Sequence, residues 1–496
     1  MGCRFVVATV VEKFLKGEMM KNKSILNTPR RASRNFTIRR FNKGINSKLA
    51  QTVLPLDVAE FAYNFDFDSG VLRQGIGIAQ SNLIDRQPID GGVMSVWLYN
   101  KKAPEEQSFL MLASLSGQVY YRNLGKTDEF KKLDDIKLTS RPKAVVYRLY
   151  GEDVMIITTP TDGMYTWDGV RTVQKIESVP LITSMTIHFE RMFVTTSDHP
   201  DAVWFSEDLD PTNFGTDLNE GGFIELIDER GQPLTALSYL NYIYVFREYG
   251  ITRLTAFGGQ EEFGASNLFV SSGRIYPRTV VLCGDSVVFL ASDGMYMFDG
   301  MSTTRILDNL TNLIVPSPKA TAVFANGKYY LALNMDFGDG LYGCERDLYD
   351  NNAMIVLDTS SGNYSVSRGF DVVDLNYLAL YNQVLAVLKD GSVGMVSKNG
   401  SLYDQPLKKM WSVGMTDLDL PSRIKHVRQI DIHAKYDLEL TFRTDKQVKT
   451  IKVKASGTIS RIRLNMKCKL FGMDIVSYQP SVYISKPTLK VVSIGE

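Results

Sequence analysis

An octapeptide that occurs twice constrains this chain more than any other feature: DGMYTWDG at Asp162–Gly169 and DGMYMFDG at Asp293–Gly300. Each copy follows an apolar, β-favouring run, Val154-Met155-Ile156-Ile157 before the first and Val287-Val288-Phe289-Leu290 before the second. An Asp-Gly pair between such runs predicts a hairpin with a type I′ turn, since glycine adopts positive φ without strain. Weaker copies of the strand–turn–strand unit turn at Gly117 (LASLSGQVYY), Gly250 (VFREYGITRL) and Gly391 (VLKDGSVGM). The steps between the five turn markers Gly117, Gly163, Gly250, Gly294 and Gly391 are about 46, 87, 44 and 97 residues. These are one, two, one and two periods of roughly 45, the length of a four-stranded propeller blade. The two skipped turns fall near residues 206 and 340, at DAVWFSED and DFGDGLYG. The pattern predicts an all-β chain whose main body is a β-propeller of about seven blades, within a range of six to eight.

A chain of 496 residues exceeds one ordinary domain, although a propeller absorbs over 300 in one. The formal net charge of +1 argues against a bulk electrostatic hold on nucleic acid. No run of 18 apolar residues occurs, so no membrane span is expected. The cysteines Cys3, Cys283, Cys344 and Cys468 are scattered without a CxxC pair, and all read as reduced thiols of a cytosolic folding environment. Cys283 and Cys468 sit in strand-like apolar patterns, where a thiol behaves as a small hydrophobe.

Residues 1–18 hold a short apolar patch, Phe5–Val11, without a basic start or a small-residue cleavage site, so a signal peptide is not expected. Residues 1–19 read equally well as non-native: Lys16-Gly17-Glu18 can be encoded by a purine-rich ribosome-binding sequence ahead of Met19-Met20. Residues 20–43 carry eight Lys or Arg and no acid, too polar a stretch to fold alone. A flexible basic arm over 1–35 is expected, either solvated or ordered against an acidic neighbour. Its candidate docking residues run on from it: Arg30, Arg31, Arg34, Arg39, Arg40 and Lys43.

In Arg39–Ile78, the order Phe41, Gly44-Ile45-Asn46, Asn64, Asp66, Gly70, Leu72-Arg73 and Gly75 resembles the N-terminal module of propeller-based bacteriophage tail proteins. The nozzle proteins of short-tailed phages, also called tail tubular protein B, are members of that group. Gln74 departs from the pattern, which has a second basic residue there. The resemblance continues in Ser197–Phe214, Ala236–Leu254 and the second octapeptide, by short patterns rather than continuous identity. It implies an N-terminal docking module at 36–78, a propeller at 79–410, and a virion protein assembled in the host cytoplasm. It also implies a homo-oligomeric ring forming part of the conduit for DNA ejection. The partners would be other virion proteins, adaptor or portal-proximal or tail-tip subunits, with DNA only in transit.

Residues 258–273 and 336–350 interrupt the strand rhythm with Gly and charge and read as inter-strand loops. From Trp411 the texture changes. Ile462, Leu464, Met466, Cys468 and Leu470 alternate with Arg461, Arg463, Asn465, Lys467 and Lys469, giving one dry face and one cationic face. A small antiparallel β-sandwich over 411–496 is expected, with an extra blade as the alternative.

No catalytic, cofactor-binding or metal-ligating set emerges from the sequence, and no enzymatic activity is expected. NFDFDSG (Asn64–Gly70) has oxygen ligands at alternate positions, but Ser69 stands at the sixth position of a calcium loop and Gly75 at the twelfth. His188, His199, His426 and His433 share no ligand spacing. TPTDGMYTW approaches the S-x-D-x-G-x-T-W turn of sialidases, yet its Asp and Gly are adjacent. Two further classes stay open: a glycan-binding or glycan-hydrolysing propeller for host-surface recognition, and a cellular interaction scaffold. A mouth lined by clustered carboxylates, arginines and aromatics would favour the glycan class.

Overall fold

The computed structural model describes residues 33–126, 129–217, 220–338, 351–421 and 423–494. Seven sheets follow one another along the chain, five of four antiparallel strands, then one of five strands and one of six. Their innermost strands begin at Val93, Lys143, Ile182, Pro233, Val281, Thr321 and Val372. Neighbouring sheets pack face to face, and the strand Val372–Leu378 returns to the strand Val93–Lys101, so the ring closes. The chain is a seven-bladed β-propeller. Blade 7 builds three strands from residues 372–397 and takes its fourth from the other end of the chain. Gly77–Ala79 pairs antiparallel with Val393–Ser397 and parallel with Ser401–Leu402.

The apolar runs ahead of the octapeptides are the second strands of blades 2 and 5, Glu152–Thr159 and Ser286–Ala291. Both are buried over nearly their whole length. A second strand lies inside its sheet and between two neighbouring blades, so both faces are dry and the sequence does not alternate. The octapeptides then supply the third strand and the packing of one blade on the preceding one. Trp167 lies 4.8 Å from Tyr121 and 5.2 Å from Phe109 of blade 1, centroid to centroid, while Phe298 lies 5.1 Å from Tyr244 of blade 4. Asp168 and Asp299 each accept backbone N–H groups two and three residues on, closing the strand with the same local turn.

All five glycine markers lie where the second strand of a blade turns into the third: Gly117 and Gly391 between the two, Gly163, Gly250 and Gly294 as the first residue of the third. The turn type differs from the expectation. Gly163 has φ +88° and Gly294 φ +153°, but neither Asp162 nor Asp293 has positive φ, which excludes type I′. The aspartates are there as acceptors instead. Asp162 takes the N–H of Thr139 at 2.8 Å and the hydroxyl of Thr159 at 2.7 Å; Asp293 takes the hydroxyl of Ser272 at 2.7 Å. Thr139 and Ser272 both lie on the connection arriving from the preceding blade, so each Asp ties two blades together. Gly117 (φ +87°) adds a close approach: a Cβ there would run into the Leu138 carbonyl, whereas at Gly163 the nearest side-chain atom is 4.0 Å away. Gly163→Val is therefore expected to lose about 1–3 kcal/mol, backbone strain alone, and Gly117→Val more, as read by denaturant midpoints. Equal losses would mean that the Leu138 carbonyl moves aside freely.

The second sheet system is a sandwich built from both ends of the chain. One sheet orders Phe65–Asp66, Leu72–Gln74, Tyr483–Ile494, Ile424–Ala434 and Ile459–Cys468. The other orders Phe61–Tyr63, Lys409–Thr416, Phe471–Ser477, Leu438–Thr444 and Val448–Val453. Residues 36–78 thus do not form a unit of their own: too short for a core, they complete the sandwich and close the propeller. Ser33–Thr37, placed partly within the flexible arm by sequence, is an edge strand paired with Thr488–Val492. The sandwich core surrounds the fully buried Trp411, with Phe41 and Phe67 edge-on at 5.0 and 5.5 Å, and runs on into blades 5 and 6 through Leu290, Tyr329 and Ile355.

Two loop expectations also change. Gly264–Val270, inside the stretch 258–273, is the outer strand of blade 4. The turn expected near 206 lies at 197–201, one strand earlier, because Ala202–Phe205 is the outgoing strand. The turn expected near 340 lies outside the described residues.

Candidate functional site: the axial cavity

The inner strands of blades 1, 2, 3, 6 and 7 surround a cavity of about 460 Å³ on the propeller axis. Asp374 of blade 7 is its hub. One carboxylate oxygen accepts Arg278 Nη2 at 3.2 Å and faces Arg141 Nη1 at 3.5 Å. The other accepts the Ser95 hydroxyl at 2.6 Å and Asn376 Nδ2 at 2.9 Å. Arg278 also donates to the Val373 carbonyl at 3.1 Å. Residues far apart in sequence, 95, 141, 278 and 374, thereby converge from blade 1, the blade 1–2 connection, the start of blade 5 and blade 7.

Lys143 lines the same cavity. Its side chain is exposed to the cavity, and the desolvation caused by the protein around that cavity pushes its ammonium below the usual lysine range. Asp374 draws it back up and Arg141 pushes it further down. Chemically the cluster is three cations around one carboxylate. Two guanidiniums face the one carboxylate, and among the described residues no second carboxylate lines the cavity. The glycan class asks for carboxylates, arginines and aromatics clustered at one mouth; this cavity is lined by one carboxylate, Asp374, with Arg141, Arg278 and Trp97. The arrangement pins blades 1, 5 and 7 together across the axis.

The residues singled out by sequence do not gather at one site. Arg30 and Arg31 lie outside the described residues. Arg34 is exposed on the edge strand, Arg39 and Arg40 are exposed beyond it, and Lys43 pairs with Asp57 at 2.8 Å. Gly117, Gly163, Gly250, Gly294 and Gly391 are spread over five blades. The residues that carry the phage resemblance act as joints. Asn64 donates to the carbonyls of Arg368 (2.9 Å) and Lys408 (2.7 Å) and accepts the Arg368 N–H at 2.7 Å, fastening the outer strand of blade 6 to the sandwich. Ile45 donates its N–H to the Tyr364 hydroxyl at 2.9 Å, and a Cβ at Gly44 would sit 2.7 Å from that oxygen. Cys283 and Cys468 are buried, which pushes their thiols up to about 12 and about 11; Cys3 and Cys344 lie outside the described residues. Among the described residues no three His, Cys, Asp or Glu side chains group closely enough to hold a metal ion, and no helix is long and apolar enough to cross a membrane.

No family model matches the chain, and no curated protein sequence matches it. Among solved structures it is similar to BBS1N in complex with ARL6DN, at 14% identity and a TM-score of 0.41, over 62% of this chain and 94% of that one. A second crystal structure of the same complex gives 12% identity and a TM-score of 0.42, over 64% of this chain and 96% of that one. It is also similar to PorZ, a surface component of the type-IX secretion system of Porphyromonas gingivalis. There the identity is 9% and the TM-score 0.41, over 76% of this chain and 46% of that one. Likenesses this distant carry no argument about activity. The fold itself rests on the seven closed sheets.

Proposed function

We propose that the protein is a structural component of a bacteriophage virion, a tail nozzle or tail tube subunit that acts with other copies to form a conduit for DNA. The reading is non-enzymatic. The observation that carries it is the segment Arg39–Ile78: the residues that resemble phage nozzle proteins are the ones that lock propeller to sandwich and close blade 7. The resemblance therefore concerns the joints of this architecture rather than its surface. The axial cavity limits where such a conduit could run. At about 460 Å³, and crossed by the Asp374 cluster, it cannot pass a duplex, so a conduit has to form between copies.

The test is incorporation. Deleting residues 2–32, which leaves the edge strand Ser33–Thr37 in place, is expected to keep the melting temperature of the isolated protein and to weaken incorporation into phage tails, more so at high salt. Deleting residues 2–38 removes the edge strand and the buried Ile38, and is expected to lower the melting temperature by several degrees as well. Absence of the unmodified protein from purified particles would overturn the virion reading. Normal incorporation of both truncations would show the arm to be a solvated tail.

A further inference from the structure

The near-zero net charge conceals a separation. Residues 446–469 hold eight Lys or Arg and no acid. They form the two edge strands of the sandwich, Val448–Val453 and Ile459–Cys468, which lie side by side: Lys449 Nζ reaches the Leu464 carbonyl at 3.4 Å. All eight cations are exposed, and among the described residues only Arg461 of them has an acidic partner, Asp431 at 3.3 Å. Val448 and Ile459, 67% and 69% exposed, supply apolar surface among them.

Blade 3 is the converse. Residues 190–229 hold eleven Asp or Glu and one Arg. Asp201, Asp208, Asp217 and Glu225 are exposed and make no ion pair among the described residues. The acids occupy the loops at both ends of the outer strand Gly222–Glu225 and that strand itself, whose outward edge is unpaired. Phe223 and Ile227, 47% and 75% exposed, sit in their midst.

Lysines on edge strands also serve to block strand pairing between molecules. That role needs no single sign and no matching acidic edge elsewhere, and this chain has both. We propose that the cationic edge of the sandwich docks on the outer edge of blade 3 of a second copy of this chain. The occupant is argued from charge complementarity: the edges carry opposite charge and exposed apolar side chains each. They cannot meet within one copy, because the sandwich is seated on blades 5 and 6 and blade 4 stands between it and blade 3. Two different patches pairing in this way make a head-to-tail contact, which repeats and closes into a ring when the rotation allows. The closure rests on the ring of the proposed function; the contact itself does not.

Sedimentation of the full chain with charge-reversed variants tests the contact. One variant carries Lys449→Glu, Lys452→Glu, Arg463→Glu and Lys467→Glu; the other carries Asp201→Lys, Asp208→Lys, Asp217→Lys and Glu225→Lys. The unmodified protein is expected to self-associate at low salt, at least tenfold more weakly at about 0.5 M salt. Each variant alone is expected to stay monomeric, and an equimolar mixture to associate again, because each then offers the other's complement. Should a reversal lower the melting temperature, Lys→Gln and Asp→Asn sets replace it, with weakened association as the expected result. A protein that is monomeric throughout, or a mixture of folded variants that fails to associate, overturns the proposal. Association untouched by either set overturns it too, while leaving a ring built on another surface. If the first variant keeps association but loses retention of a DNA duplex, the cationic edge serves nucleic acid and the proposal falls.

Discussion

Asp374→Ala is expected to lower stability by about 3–5 kcal/mol, measured as the loss in unfolding free energy from denaturant titration. The carboxylate is 6% exposed and is the shared acceptor of Arg278, Asn376 and Ser95, with Arg141 close by. Removing it leaves two guanidiniums and the Lys143 ammonium around one cavity without a counter-charge. Loss of one partner of a buried pair costs more than the pair contributes, because the remaining charge has lost its hydration. Asp374→Asn keeps an acceptor but not the charge, and is expected to fall between the two. Ser95→Ala, removing one neutral donor, is expected to cost about 1 kcal/mol. A loss for Asp374→Ala no larger than for Ser95→Ala would show that the arginines swing out to water and that the blades hold without the hub.

This hub also shows where sequence reading stops. Nothing near Asp374 marks it: VVDLNYL is one more apolar strand with a polar interruption. Its partners lie at positions 95, 141 and 278, and only the closing of seven sheets around one axis brings them within 3.5 Å. The blade count was legible because it depends on local signals, a glycine turn after a two-sided apolar strand, repeated at a near-constant period. The turn chemistry was misread because an Asp before Gly fits two explanations. Positive φ at both residues is one; a side-chain acceptor before a left-handed glycine is the other, and the partners that tie Asp162 and Asp293 to the preceding blade, Thr139 and Ser272, lie more than 20 residues upstream. The charge separation was in plain sight but averaged away in the net charge of +1. Counting by segment would have found it, and the alternation along Arg461–Leu470 was half of the signal.

Gly77→Val is expected to cost more than about 4 kcal/mol, or to prevent folding of the whole propeller. The closing strand Gly77–Ala79 was hidden in the sequence because GIGIA is short and continues the segment that feeds the sandwich. It nevertheless lies between two strands, Val393–Ser397 on one side and Ser401–Leu402 on the other. A Cβ at Gly77 would collide with the Ser401 carbonyl oxygen and the Asn399 side chain and stand 2.7 Å from the Ser401 nitrogen. The Ser401 atoms are backbone and cannot rotate away, so the substitution has to push a strand out of blade 7. Ile78 then leaves the buried core it shares with Val356, Phe370 and Val372, which opens the junction between blades 6 and 7 as well. The pairing joins residues over 300 positions apart, so its contacts offset a large loop-closure entropy, and weakening them releases that entropy at once. Gly125→Ala, in an exposed turn where among the described residues the Asn123 Oδ1 at 3.3 Å is the one contact a Cβ would make, serves as the control and is expected to be near neutral. Urea unfolding followed by tryptophan fluorescence reads both halves of the molecule, since Trp97, Trp167 and Trp204 report the propeller and Trp411 the sandwich. Loss of both signals at a lower midpoint is the expected result for Gly77→Val. An unchanged midpoint would mean that the ring stays shut without its N-terminal strand.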